Sequence, residues 1–346
     1  MAIGSGAVLG FDSLVGLAEE TTYGTFVTAT SFVEFNSESL NRNINYQKLN
    51  SIFGRRGFQR MVEGQTDVSG DINFNLHAVN GLILLKNAMA GSITTLAVVG
   101  ATHASHTFAL GDWSVQTASA SFSIQKRVGS TTARTFLLSG CRVNQLAISG
   151  AINQPVQCVA GIIGQNLTSS AASSMGATNF STVRPFLFFD GTYTSDNTTS
   201  SWGTTVDDIL SFELTINNNI VSDDKARRIG SRFVRLLPAG QREINLSISQ
   251  RFDTMTAFES WLANTQHSIR IHLDTGLTIG SAAGNTTYSM RFDFRNVRIM
   301  EGAVPQVGDN GVVTYDLNLS PLLVDASNTT TSDEMLAVVF TSLATL

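Results

Sequence analysis

Five histidines, two cysteines and two pairs of adjacent aspartates are the places to look for chemistry in this 346-residue chain. His103 and His106 lie in the run HASH, and no Cys, Asp or Glu sits near them at ligand spacing. A zinc site needs about four such donors, so no metal is expected. Asp207 with Asp208 and Asp223 with Asp224 are neighbours in sequence. Adjacent residues of a strand point to opposite faces, so these pairs read as solvated loops and not as an acid and its base. The chain contains no GxSxG, HExxH, phosphate-binding loop or dinucleotide fingerprint. No catalytic residue and no cofactor are expected, and an enzyme is the weakest reading. Cys141 and Cys158 form no CxxC and each falls in an expected strand. Buried free thiols of a reducing compartment are expected, with pairing left open should the two strands be neighbours.

Arginines carry the remaining signal. Gly54 to Gln65 reads GRRGFQRMVEGQ, and Gly230 to Gln241 reads GSRFVRLLPAGQ. Gly54, Arg56, Gly64 and Gln65 recur 176 positions on as Gly230, Arg232, Gly240 and Gln241. The first stretch holds Arg55, Arg56 and Arg60 with Phe58 and Met61. The second region holds Arg227, Arg228, Arg232 and Arg235 with Phe233, Leu236 and Leu237. A groove that tracks phosphates would rarely carry so much aliphatic surface. Cationic heads beside apolar anchors suit a protein–protein contact, where Arg is enriched. Nucleic acid and a plain solvated loop are the competing readings. The candidate contact residues are Arg55, Arg56, Phe58, Arg60, Met61, Arg228, Arg232, Phe233, Arg235 and Leu236.

Composition points to strands. Charged residues make up only 14% of the chain, against about 25% in ordinary globular proteins. Thr and the aromatics favour strands, and Gly and Asn favour turns. The net charge of −5 argues against a surface built for phosphates, and scarce charge suits a surface covered by other chains. No apolar run approaches the roughly 18 residues of a membrane span. The N-terminus lacks a basic region before its apolar stretch, so no signal peptide is expected. The length suggests two or three domains and room for two cores.

The 176-residue offset predicts that one unit is used twice. A strand over Val33–Asn45 is matched by Ile209–Val221 without a gap. A loop of about twenty residues follows in each copy, Tyr46–Gly64 and Ser222–Gly240. In the next strand Val68, Ile72, Phe74 and Leu76 alternate with Asp67, Ser69, Asp71 and Asn73, and Ile244, Leu246 and Ile248 alternate with Glu243, Asn245 and Ser247. Short helices follow at Ala78–Met89 and Thr254–Asn264. Leu82, Leu85 and Met89, and likewise Phe258, Trp261 and Leu262, predict stripes that face a sheet. Further strands are expected at Ala118–Lys126 with His267–Leu273, Thr135–Ser149 with Tyr288–Met300, and Val156–Ile163 with Val312–Leu319. An insert around Gly91–Trp113 reduces the later offset. The expected domains are residues 1–168 with an N-terminal arm to Ser31, a linker at 169–181, and residues 182–346 with an apolar tail that docks on its own core or on a neighbour.

This order of arm, strand, Arg-rich loop, strand, helix and closing strands resembles the tail tube proteins of long-tailed bacteriophages. The residues that carry the resemblance are AEETTYGT at Ala18–Thr25, GRRGFQRMVEGQTDVSGDINF at Gly54–Phe74 and SGCRVNQLAIS at Ser139–Ser149. The resemblance implies a mainly β fold: two tandem β-sandwich or barrel domains of tail-tube type, each flanked by a short helix. It implies rings that stack into a tube conducting DNA, with a doubled chain forming a pseudo-hexameric trimer. Partners would be further copies of the chain and other tail proteins (tape measure, terminator, baseplate), with DNA passing transiently and no membrane involved. The setting would be the virion tail, assembled in the bacterial host cytoplasm. The family's lumen is typically acidic, which makes Asp67, Asp71, Glu213, Glu243 and Asp316 lumen candidates. Whether the arginine loops act within or between rings stays open. The rival readings are another ring-forming virion part, such as a terminator or baseplate hub, and a carbohydrate-binding β-sandwich. For the last, Trp113, Trp202 and Trp261 look too dispersed.

Overall fold

A computed structural model describes residues 9–89, 93–97, 104–111, 121–129, 134–170, 175, 180–197, 201–279, 286–305, 307, 311–323 and 334–342. The chain is mainly β. In order, the elements are β1 (Leu14–Glu19), β2 (Ser31–Val33), β3 (Ser37–Glu38), β4 (Asn41–Leu49), β5 (Arg60–Asn75), α1 (Leu82–Met89), β6 (Ile93–Ala97), β7 (Ala104–Ala109), β8 (Phe122–Val128), β9 (Arg134–Ala151), β10 (Gln157–Gly164) and β11 (Asn166–Ser170). There follow β12 (Gly191–Asp196), β13 (Thr204–Thr205), β14 (Ile209–Asn217), β15 (Glu243–Arg251), α2 (Thr256–Leu262), β16 (His267–Thr278), β17 (Thr287–Glu301), β18 (Thr314–Pro321) and β19 (Leu336–Thr341).

Eight strands form a continuous antiparallel run in the order β4–β5–β10–β9–β14–β15–β18–β17. Alternation builds it. Val68, Ile72, Phe74, Leu146, Ile148, Leu214, Ile216, Ile244, Leu246 and Ile248 are buried on one face, as a period of two requires when one side is packed. The other face is polar.

Two long strands, β9 and β17, each serve two neighbourhoods. The first half of β9 lies between β8 and β11, and its second half lies between β10 and β14. The first half of β17 lies between β16 and β19, and its second half is bonded to β18. Both strands carry a bulge within the part that pairs with the new neighbour, where Asn144 and, near the end of β17, Met300 are passed over in the pairing. A bulge bends a strand and raises its local twist, which lets one strand change partners. Smaller runs complete the fold: β2–β1–β8 on the first side, and β13–β12–β16 on the second.

Several expectations are corrected. The segment expected as one strand from Val33 to Asn45 is divided among β2, β3 and β4. The first long loop is shorter than expected, because β4 and β5 pair as far as Leu49 and Arg60 and leave about ten residues at the tip. The second loop has no such hairpin and instead holds a short 3-10 turn at Asp224–Ala226. Residues expected in an N-terminal arm form β1, which pairs with β2 and β8. The insert contains the β6–β7 hairpin. Most of its other residues, including Trp113, and most of the expected linker lie outside the described residues. The apolar tail forms β19, inserted between β17 and β7. In place of two cores there is one large buried cluster that extends from Val15 to Val339 and includes both halves.

The recurring glycines have local causes. Gly54 and Gly230 adopt φ of +78° and +80°, a left-handed turn open to Gly at little cost. At Gly64 an added Cβ would lie 2.7 Å from the Asn45 carbonyl oxygen, and at Gly240 it would lie 2.6 Å from that of Asn219. Asn45 and Asn219 are 174 positions apart, so by this contact the first strands are offset by two residues less than the glycines, and the gap-free alignment of the first strands does not hold.

Candidate functional site

The polar face of the eight-strand run brings together four of the five lumen candidates. Cross-strand register sets Asp71, Gly161, Gln145, Asn217 and Glu243 in one row. Another row contains Gln157, Ser149, Glu213, Ser247 and Asn318, and Ser249 stands opposite Asp316. Asp71, Glu213, Glu243 and Asp316 are all exposed. Glu213 and Asp316 border a shallow depression of about 210 Å³ that is otherwise lined mostly by Ser, Gln and Gly. The fifth candidate, Asp67, is engaged differently, in an ion pair with Arg227.

The arginine loops separate into one docked and one free. The second loop lies on the first half of the chain. Arg227 pairs with Asp67 and Arg232 with Glu63. Gln65 donates to Asp224 at 2.8 Å, and the Thr66 N–H donates to the Arg232 carbonyl at 3.1 Å. Ile220, Ala226, Val234 and Leu237 form a small core of their own beneath it, with Tyr23 and Ile163 packed against them. The Phe233 ring lies beneath the guanidiniums of Arg42 and Arg232, at 5.5 and 5.7 Å, a cation–π arrangement. Leu236 is half-buried, while Arg228 and Arg235 are exposed. The first loop makes no comparable dock. Arg55, Arg56, Arg60, Phe58 and Met61 are all exposed, and Phe58 has Lys48 5.6 Å above its ring.

A buried polar cluster missed by sequence reasoning holds the second loop's seat. Glu20, 2% exposed, accepts from the Gly24 and Gly140 N–H groups at 2.8 and 2.7 Å and from the Ser121 and Ser123 hydroxyls at 2.7 and 2.8 Å. Arg142 is 1% exposed and donates to the Leu237 carbonyl at 2.6 Å, with Tyr23 stacked 5.7 Å from its guanidinium. Burial pulls the Arg142 guanidinium below its ordinary value, while Tyr23 and Glu20 act in the opposite direction. Burial pushes the Tyr23 hydroxyl up, against the Arg142 charge. The only hint in the sequence was the pair of acidic residues, Glu19 and Glu20, in the otherwise uncharged segment AEETTYGT.

The candidates for chemistry lie apart. His106 is buried, with its Nδ1 2.9 Å from Thr95 Oγ1, and His103 lies outside the described residues. Asp223 caps the 3-10 turn by accepting from the Lys225 N–H, and Asp208 faces Arg251 at 3.8 Å. Cys141 and Cys158 are both buried and free. Among the described residues no three metal-binding side chains gather, and no helix is long and apolar enough to cross a membrane. Trp202 lies between Arg270 and Arg295, at 4.1 and 5.1 Å, while Trp261 is on α2.

The second helix departs from expectation. α1 is buried, with Leu82 and Leu85 each 3% exposed, whereas Trp261 and Leu262 of α2 are 37% and 65% exposed. The open strand edges among the described residues include those of β4, which is bonded only to β5, and of β17, which has no strand beside it past Val297 on its β16 side.

These features define a class: an antiparallel β protein with one polar face and unfilled strand edges. The phage tail tube protein family matches the chain over residues 10–321. The chain belongs to that family, and so to the structural proteins of the virion tail. The comparison with curated proteins gave no match.

Proposed function

We propose that this protein forms rings that stack into the tail tube, and that the tube conducts DNA during ejection. Each ring is a trimer with pseudo-sixfold symmetry, because each chain contributes two tube units, residues 1–168 and 182–346, joined by 169–181. The observation that carries the reading is the continuous eight-strand run with a single polar face. Its strands recur in two sets of four: β4, β5, β10 and β9, then β14, β15, β18 and β17. The bulges at Asn144 and Met300 recur with them and support the doubling.

The polar face lines the bore. Its exposed Asp71, Glu213, Glu243 and Asp316 repel phosphates, while a cationic lining would release counterions and hold the DNA. The range of this repulsion is about 10 Å at 0.1 M salt, so it acts on DNA close to the wall. Asp67 is partly neutralised by Arg227 and contributes less. The role is structural and not catalytic. The first loop, with Arg55, Arg56, Phe58, Arg60 and Met61, and the exposed Arg228 and Arg235 of the second are contacts between chains. Tape measure, terminator and baseplate proteins are the other partners, and assembly takes place in the host cytoplasm before the tail joins the virion.

Negative-stain electron microscopy of the purified protein tests this. Stacked rings or tubes with a central hole and threefold class averages of six lobes are expected. Arg56→Glu should leave a folded protomer and abolish the rings. Single chains at every concentration, or wild-type tubes from the Arg56→Glu variant, would overturn the conduit or the contact role respectively.

A further inference from the structure

The space beneath the two helices is filled differently. Under α1 it is closed, with about 10 Å³ left among side chains such as Phe74, Leu85, Ile148 and Cys158. Under α2 there is a cleft of about 430 Å³, lined from α2, β12, β15, β16 and β18. Side-chain identity accounts for the difference. Phe74 on β5 stands opposite Cys158 on β10, and both are buried. Gln250 on β15 stands opposite Tyr315 on β18, and Gln250 is half-buried. Helix α1 buries Leu82, Leu84 and Leu85, whereas α2 lends Thr256, Ala257 and Ser260 to the cleft. Small and polar groups there leave room that leucines would fill. The volume falls within the roughly 300–1,000 Å³ of small-molecule sites.

The lining has three kinds of chemistry. Ile269, Leu317 and Leu319 give it an apolar floor. Asp207, Asp208 and Asp253 stand at its open side. Asp208 has Arg251 at 3.8 Å, and Asp207 and Asp253 form no ion pair among the described residues, so the mouth is net negative. Burial pushes the Tyr315 hydroxyl above its ordinary value, and the Asp253 and Asp208 charges push the same way. His267 is the third kind. It lies on the face of β16 that carries Ile269, by strand alternation, and it lines the cleft with only 9% of its surface exposed. Its Nε2 is buried and has no hydrogen-bond partner among the described residues. Burial and the Arg298 charge both pull the ring below its ordinary value, which keeps it neutral at pH 7. A buried polar atom without a partner is costly, and a ligand group that reaches it removes that cost.

We infer that the cleft beneath α2 binds a small organic cation, an amine on an apolar body with a hydroxyl at its far end. The ammonium sits at the mouth and donates to the Asp208 and Asp253 carboxylates. The body lies over Ile269, Leu317 and Leu319. The hydroxyl meets His267 Nε2, and a hydroxyl suits either tautomer of a neutral imidazole because it both donates and accepts. The carboxylates do not gather as metal ligands do among the described residues, and the floor is hydrocarbon, so an organic cation fits where a metal ion does not. The site is complete within one chain. It stands or falls independently of the ring.

Titration calorimetry of the purified full chain with tyramine tests this. Saturable binding at a single site is expected. Phenethylamine, which lacks the hydroxyl, should bind about tenfold more weakly, the scale of one buried hydrogen bond. His267→Leu should bring the two amines to equal affinity, an effect that a merely structural histidine would not produce. Asp208→Asn with Asp253→Asn should weaken tyramine binding about tenfold or more. The anion 3-(4-hydroxyphenyl)propionate, of similar size, should not bind. Ala257→Leu fills the cleft and should abolish binding without lowering the thermal midpoint. An unsubstituted chain that shows no saturable binding at millimolar tyramine would overturn the site. Equal binding of the propionate would overturn the cation assignment. Undiminished binding by the double asparagine variant, whose changes lie at the open side and leave the core untouched, would place tyramine elsewhere and overturn the cleft.

Discussion

Glu20 shows how one side chain governs a surface far from it in sequence. Its two carboxylate oxygens accept four hydrogen bonds from the loops and strands around β9, and Arg142 and Tyr23 build on the same ground to seat Leu237. Hydrogen bonds to a charged acceptor contribute about 1.5–3 kcal/mol each, and buried donors left bare cost more. Glu20→Ala is therefore expected to lower unfolding free energy by roughly 3 kcal/mol or more. Glu20→Gln, which keeps one acceptor oxygen, should cost less. Urea denaturation of the two variants checks this, and equal midpoints for Glu20→Ala and the unsubstituted chain would remove Glu20 from this role.

At the scale of elements, the two helices hold equivalent positions in chain order and differ in what covers them. α1 has β9, β1, β7 and β14 as neighbours and buries nearly all of its residues. α2 touches β17 and buries Ser260 alone. Truncation follows burial. Leu85→Ala should destabilise the protomer by about 2–5 kcal/mol, the usual cost of emptying a packed site. Leu262→Glu, at an exposed site, should leave the thermal midpoint within a degree or two of the original. It should nevertheless suppress ring formation, because the proposed ring would cover this exposed apolar surface and the charge opposes its burial. Light scattering beside calorimetry separates the two effects. A Leu262→Glu chain that assembles normally would show that α2 stays exposed in the tube.

For the whole molecule the deciding feature is the sign of charge on one face. Asp71, Glu213 and Asp316 stand on the same side of the eight-strand run although they lie far apart in sequence. Replacing all three by Lys should leave assembly intact, because none lies on the open strand edges. It should convert a bore that passes DNA into one that retains it. Co-sedimentation of the assembled variant with double-stranded DNA should show retention at low salt and release as salt rises. Tubes of the variant that bind no more DNA than the unsubstituted ones would place these carboxylates elsewhere than the bore.

The sequence by itself determined the strand-rich fold and its alternation. Period-two runs such as Val68–Phe74 and Phe212–Ile216 specify both a strand and its buried side, because a pleated strand sends neighbours to opposite faces. It also determined the glycine positions, since a left-handed turn at Gly54 and Gly230 and the close approach at Gly64 and Gly240 each exclude a side chain. Helix burial was not legible: the stripe of Phe258, Trp261 and Leu262 has the same pattern as a packed one, and periodicity says which residues share a face without saying what covers it. Nor was the difference between the arginine loops, since Arg56 and Arg232 occupy matching places, yet only Arg232 meets a carboxylate, that of Glu63. Those outcomes depend on which half of the chain lies beside which. Only the tertiary structure decided this, when β14 settled against β9, filled one edge and left its counterpart on β17 open.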